Sequence, residues 1–320
     1  MTPSALTGNL DPASLNLAMS QQARPLYDRV VEFVAAEVEP VTAERGRDLT
    51  SLSQGAFRAY LFPVYTPAGF AVTSESPLDH PHHNSLWIGA DHFNCYLPYS
   101  SGALEEANYN FYVNDIFQGR APGRILGVDV EAAEMADDHL RLVQTLHWQG
   151  PIEWGAPQRR TLAVETRTID IRPGEIANLF DVRSQLRPAE WDLHVGPTRH
   201  AYYGLRMTEP LRVTSGATMV DSQGRTGAAA ISGQVSEWVD CSGAIAAGRK
   251  AGAALFPYAS AQGFPWFVAD WGTLTVNPMA RVGYPLKQGD LLDFAVRFVV
   301  HDGDADEADV AGMWKAFAAE

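Results

Sequence analysis

Between Ala56 and about His301 the chain reads as short apolar alternations punctuated by Gly, Pro, Asn and Asp, the pattern of β-strands joined by tight turns. In Leu292, Phe294, Val296, Phe298 and Val300 every second residue is apolar, as a half-buried strand requires. Leu140, Leu142, Leu146 and Trp148 give a second such face, interrupted by Gln144, and Leu162 with Val164 begins a third. Pro67-Ala68-Gly69, Arg172-Pro173-Gly174 and Ser222-Gln223-Gly224 are turn signals between the runs. Alternating βαβ units are absent, which argues against Rossmann and TIM architectures. The expectation is an all-β fold, a large antiparallel β-sandwich.

Two stretches have a different period. Tyr27, Val30, Val31, Val34 and Val38 fall at helical spacing, although their valine content also suits a strand, so residues 26–38 are read as helix or strand. Near the C-terminus, Val310, Met313, Trp314 and Phe317 form one apolar stripe, and Asp304 to Glu307 has the spacing of a capping box. This predicts a helix near 305–319 docked on the sandwich. Residues 1–22, with Pro3, Gly8, Pro12 and Gln21, have nothing periodic to pack and read as a loose leader. Residues 23–320 are therefore expected to form a single domain.

The 320 residues, 46% of them hydrophobic, suffice for a substantial core without disulfides or a structural metal. The two cysteines, Cys95 and Cys241, lie far apart and outside any zinc or redox spacing. A net charge of −14 repels phosphate backbones and anionic headgroups, so nucleic acid and membrane surfaces are not expected partners. No apolar run approaches the ~20 residues that span a bilayer, and the first 20 residues lack the regions of a secretory signal. The cytoplasm is the expected location, with a small molecule as partner and homo-oligomerisation left open.

The candidate chemistry concentrates at Asp79-His80-Pro81-His82-His83, where three of the nine histidines occupy four positions. On an extended chain His80 and His82 would share one side at roughly 7 Å, with His83 facing away. That spacing suits acid/base groups on one substrate or a shared divalent metal on His80 and His82. Pro81 removes a ladder donor, so a loop, an edge or a strand entrance fits better than a central strand. No second H-x-H or H-x-x-E-H element completes a metal shell, and the sequence requires no cofactor.

The stretch Phe57 to Gly69, followed by Asp79 to His83, resembles the signature of the PmoA-like family. Gly196-Pro197-Thr198-Arg199-His200 through Gly204-Leu205-Arg206 is similar to that family's D-T-K-E-G…G-x-R stretch, and Ser236 to Gly243 resembles its W-V-D-Y-S-G. Pro265-Trp266 to Gly272, Asn277-Pro278 and Val300 to Asp304 resemble its closing block, so the likeness extends over roughly residues 50 to 304. The resemblance implies a β-sandwich of the galactose-mutarotase or supersandwich type, of a kind met alongside sugar oxidoreductases, and not a membrane monooxygenase subunit. Asn84-Ser85 stands where that family has Arg-Gly, Pro197 replaces an Asp and His200 a Glu, which points to a different substrate.

Roles follow from side-chain chemistry. His82 or His83, with His80 and Asp79 beside them, is one proton-transfer candidate, and His200 is its candidate partner or a simple strand-end residue. Arg58 and Arg206 interrupt strand-like segments and either clamp a carboxylate or hydroxyl pair or form internal salt bridges. Trp87, Trp238 and Trp266 are candidate platforms for a sugar ring or core residues, with Asp240 and Asn277 as polar edges. Asp240 alternatively caps the Ser242-Gly243 turn. The aromatic and amide-rich segment Asn108 to Asp115 reads as a pocket wall or a polar-faced strand. Three functions remain open: an epimerase, lyase or hydrolase acting on a small polyhydroxylated or carboxylated substrate by histidine acid/base chemistry; a metal-dependent hydrolase or oxygenase on His80 and His82; and a non-catalytic carbohydrate-binding or accessory protein.

Overall fold

The computed structural model describes residues 48–98, 101–135, 138–152 and 158–320. The leader expected over 1–22 and the helix-or-strand segment over 26–38 lie outside the described residues. The all-β expectation is met: three sheets, antiparallel except for one short pairing, carry most of the described chain.

The eight-stranded sheet runs, edge to edge, Thr218–Asp221, Val239–Ala246, Arg249–Pro257, Leu292–Asp302, Ala177–Pro188, Thr161–Arg172, Leu140–Gln149 and Arg124–Glu134. The six-stranded sheet runs Thr50–Gln54, Ala59–Val64, Leu86–Ala90, Ala201–Arg206, Thr273–Val276 and Phe267–Ala269. A third, five-stranded sheet orders Tyr284–Leu286, Leu193–Val195, Phe93–Pro98, Leu104–Asn110 and Ala121–Pro122.

The alternation of Leu292 to Val300 gives the strand it predicts, and Phe180, Val182 and Leu186 face the same way on the neighbouring strand. The third run is shifted: after Leu162 the buried positions are Ala163, Glu165, Arg167, Ile169 and Ile171, and Val164 is only half-buried. A register irregularity opposite Trp148 and Gln149 moves the buried phase by one residue. That slip brings two charged residues inside. Glu165, fully buried, accepts from Trp148 Nε1 at 2.8 Å, Ser184 Oγ at 2.8 Å and Arg167 Nε at 2.8 Å, so its charge is satisfied. Arg167 Nη1 continues to Ala59 O at 3.1 Å, and Tyr203 donates to Phe294 O at 2.5 Å while accepting from Ser184 N at 3.1 Å. These bonds tie the inner faces of the two larger sheets together.

The outer face of the eight-stranded sheet is closed at one end by the C-terminal helix, Val310–Phe317, whose Val310, Trp314 and Phe317 pack on Phe256, Ala254, Val299 and Trp238. Asp304 and Glu307 do form reciprocal capping bonds, each backbone N–H donating to the other's carboxylate at 3.0 Å. They close a turn ahead of the helix, and Asp309, accepting from Gly312 N, is the residue that caps it. The helix is consequently shorter than the 305–319 predicted.

Within the eight-stranded sheet, Asp240 accepts from Ser242 Oγ at 2.7 Å and lies 2.7 Å from His301 Nε2, with both ionisable side chains fully buried. Cys95 and Cys241 are buried and unbridged. No helix among the described residues is long and apolar enough to cross a membrane.

Burial would push the His301 imidazole down, but the charge and hydrogen bond of Asp240 raise it above the ordinary histidine value. The pair therefore contributes stability that is fully present below about pH 6.5 and is lost as pH rises through the elevated folded value. His301→Gln is expected to lower the unfolding free energy by about 3–5 kcal/mol, because it leaves Asp240 buried without its cation. Denaturant titrations between pH 6 and 9 check this. A loss that is small, or that grows with pH, would show the pair does not act as a buried ion pair.

Candidate functional site

In the strand Ala201–Arg206, Tyr202 and Tyr203 both reach the inter-sheet core at Ser184, whereas Arg206 lies on the outer face, against Asp79 and His83. On that outer face Trp87, Gly204 and Thr275 stand side by side across three strands, with Thr273 beside Arg206. Gly204 is required there: a Cβ would sit 2.4 Å from Trp87 Cζ2, so the bare backbone is what lets the indole lie across the strand.

The histidine cluster folds down onto this surface as a closed turn. Ser76 N donates to His83 O at 2.9 Å, His80 N to Pro77 O at 3.0 Å and His83 N to His80 O at 2.9 Å. The extended geometry considered from the sequence is thus corrected. Pro81 sits in a turn, and His83 does not point away from its neighbours. The His83 ring stacks on His80 at 4.9 Å and meets His82 edge-on at 4.6 Å, while its face lies 4.9 Å from Trp87. His80 in turn stacks on Trp271 at 5.0 Å with planes 9° apart.

Two buried guanidiniums hold the turn. Arg206, with no exposed surface, donates to Asp79 Oδ2 at 2.5 Å and approaches His83 Nδ1 at 3.5 Å. Because Nη1 can only donate, His83 Nδ1 accepts, which leaves Nε2 carrying the proton toward Tyr112 Oη at 3.4 Å. Arg58 donates to His82 O at 2.6 Å, Tyr112 O at 2.7 Å and Asn114 Oδ1 at 2.9 Å. Burial draws its guanidinium down to about 10.

The same forces set the other charge states. Burial alone would raise the Asp79 carboxyl, but hydrogen bonds from Arg206 and His80 and the Arg206 charge hold it well below the usual carboxylate range. Burial, reinforced by the Arg58 charge and by His80, His200 and Arg206, draws His82 down to about 3. His83 is depressed further, by burial and then by the neighbouring histidines and arginines. Burial raises the Tyr112 phenol well above its ordinary value, so it stays protonated. Both cluster imidazoles are neutral at ordinary pH.

His200 also meets Tyr112, its ring 5.3 Å from the tyrosine, while His82 lies 5.6 Å from the same ring. His200 Nδ1 is 3.1 Å from Asp91 Oδ2, Asp91 is fully buried, and Thr198 Oγ1 donates to its other oxygen. Arg199 Nε lies 3.2 Å from His200 Nε2. A donor at Nε2 and a carboxylate at Nδ1 together fix the tautomer with its proton on Nδ1.

Of the sequence candidates, the fold brings together Arg58, Asp79, His80, His82, His83, Trp87, His200 and Arg206. Asn277 stands one step behind, its Nδ2 donating to Thr198 O at 2.6 Å. Three candidates lie elsewhere. Trp238 packs beneath the C-terminal helix, Trp266 donates to Ser236 O at 3.1 Å, and Asp240 is consumed by His301 and Ser242. Trp238 and Asp240 go with the strand Val239–Ala246 of the other sheet, while Trp266, just ahead of the Phe267–Ala269 edge strand, spends its indole N–H on that main-chain carbonyl. Residues the sequence did not single out include Asp91, at the end of the Leu86–Ala90 strand, Trp271 and Thr198. Tyr112 was visible only within the aromatic and amide-rich segment 108–115. Among the described residues no three His, Cys, Asp or Glu side chains are arranged to hold a metal ion, and His80 Nδ1 and His83 Nδ1 already face Asp79 and Arg206. The donor set does not fit the metal considered for His80 and His82.

No curated protein matches the chain. Among solved structures it is similar to an α-galactosidase from Lactobacillus brevis, at 12% identity and a TM-score of 0.38, over 80% of this chain and 38% of that one. The chain thus spans well under half the length of that protein. The PmoA-like resemblance read from the motifs is overturned, because the family model that matches is a different one and no PmoA-like model does. That model covers residues 41–315, and the chain belongs to the family it describes, a family of unknown function designated DUF6807.

Proposed function

We propose that this protein is an enzyme acting on a small polyhydroxylated or carboxylated molecule by histidine acid/base chemistry, with His200 and His82 as its working pair. The observation that carries the reading is that two imidazoles in different surroundings both meet Tyr112. His200 is oriented by a buried carboxylate, and in this tautomer Nε2 is the basic nitrogen. Once Arg199 yields its place, Nε2 takes a proton from a substrate hydroxyl or from a carbon beside a carbonyl. Asp91 then stabilises the imidazolium that forms.

His82 is suited to the complementary task. Held neutral by burial and surrounding positive charge, it presents an N–H rather than an imidazolium, and a neutral imidazole can polarise a substrate oxygen as negative charge develops there. Tyr112, kept protonated, meets both rings. Mutarotation, epimerisation and elimination each begin with a proton transfer of this kind.

The test is to incubate the protein in D2O with a panel of aldoses and uronic acids and to follow anomer interconversion, epimerisation, elimination and deuterium incorporation by proton NMR. Turnover of at least one member is expected, with His200→Gln lowering it by roughly 10²–10⁴-fold. No turnover of any member, or full activity in both His200→Gln and His82→Gln, would remove the assignment.

The protonation state of His82 is checked separately. Its imidazole 15N shifts are expected to stay constant from pH 8 to 5, because the depressed value puts its titration near pH 3. A midpoint near the ordinary value of about 6.5 would be incompatible with a neutral electrophile.

A further inference from the structure

We infer that the ligand of this site carries a carboxylate, seated on the exposed edges of His80, His82 and His200 within the field of Arg58 and Arg206. The inference rests on the site reading above and narrows its substrate class to monoanions.

The first ground is charge accounting around the cluster. Arg58 is 1% exposed, yet its guanidinium is held by two main-chain carbonyls and an amide oxygen, all neutral acceptors. Among the described residues no carboxylate stands within ion-pair distance of it. Isolated buried charges are strongly unfavourable, so a guanidinium kept in this way requires either a compensating anion or a function that its field serves. Arg206 has Asp79, but that carboxylate is shared with His80 and is 36% exposed. Arg199 adds a third guanidinium at the rim beside His200. Against these three cations the site offers Asp79 and Asp91, and Asp91 is already engaged by Thr198 and His200. Glu75 accepts from the Tyr60 hydroxyl and, among the described residues, pairs with none of the three. Arg58 is thus a buried guanidinium left without a carboxylate partner, in a chain whose net charge is −14. The unpaired cation is therefore a local feature of the site.

The second ground is the hydrogen-bond inventory, which is independent of charge. Arg58 Nε, Arg206 Nε and Trp87 Nε1 are all buried and have no acceptor among the described residues. Each of these atoms can only donate. Most buried polar groups in folded proteins are paired, so these donors, with the equally unpartnered hydroxyls of Thr273 and Thr275 beside them, mark a polar patch that ordered water or a ligand satisfies. A carboxylate is an acceptor-only group. A carboxylate also brings one negative charge toward the guanidinium that lacks one.

The half-exposed parts of the site complete the picture. His80 remains 30% exposed and stacks on Trp271, and the His200 ring meets Phe117 and Phe267 edge-on, so the rim combines imidazole N–H groups with flat apolar surfaces. Such a rim fits a compact ring or chain bearing hydroxyls beside its carboxylate.

The test uses the full chain with 15N-labelled histidine. It is titrated with D-glucuronate, D-galacturonate and D-gluconate, with D-glucose and D-galactose as neutral counterparts, and with inorganic phosphate. At least one sugar acid is expected to shift the His80, His82 and His200 imidazole resonances saturably, about tenfold or more tightly than its neutral counterpart, and to weaken as salt is raised. Equal binding of the neutral sugars, tighter binding of phosphate, or no shift with any sugar acid would overturn the inference. The outcomes separate it from the enzymatic reading. Binding of a sugar acid without turnover would sink the enzyme and leave the carboxylate standing, while turnover confined to neutral sugars would do the reverse.

Discussion

A guanidinium removed from water must find acceptors for its donors and, where one is available, a counter-charge, and this requirement organises the candidate site. Arg206 projects from the outer face of the six-stranded sheet with no exposed surface, and the carboxylate that meets it comes from Asp79, 127 residues earlier in the chain. Because Asp79 opens the histidine turn, pairing the charge also seats the turn. Arg58 holds the other end through the His82 carbonyl and the main chain of Tyr112, so three segments remote in sequence meet at two arginines.

What those arginines rest on is the inter-sheet network. Glu165, Arg167, Ser184 and Tyr203 make a satisfied polar cluster where an apolar core would otherwise be expected. It fixes the strand Ala201–Arg206, and with it the distance between His200 at one end of the strand and Arg206 at the other. Gly204, between them, leaves room for the Trp87 ring, and His83 stacks on that ring in turn. The site is therefore a layered stack on a rigid sheet, of the kind that holds side chains in narrow orientations.

The same burial that seats the histidines separates their chemistry. His82 and His83, enclosed and surrounded by positive charge, lose their affinity for protons. His200, which also meets Tyr112, has the buried Asp91 as partner. Groups of one chemical type thus acquire different roles from their surroundings, a difference no local sequence feature records.

The sequence by itself determined the fold class, because a period of two in apolar positions can only be satisfied by strands with one buried face, and Leu292 to Val300 carry that period without ambiguity. It also marked the histidine turn, since three imidazoles in four residues are a local fact, and it marked Arg58 and Arg206 as charges out of place in apolar segments. What it did not hold was the partner of each. The reading of Asp240 as a polar edge failed because strand pairing in the other sheet gives it to His301, 61 residues away. Asp91 escaped notice, and Tyr112 stood out only as part of the aromatic segment 108–115, because an acid after a strand and a tyrosine in a loop are commonplace until the sheet brings them beside His200. Even the capping box from Asp304 to Glu307 formed its bonds yet did not start the helix, since Asp309 takes that place. Local periodicity is fixed by the geometry of a few consecutive residues. The pairing of buried charges is settled over separations of 60 to 130 residues, and only the closed tertiary structure decides it.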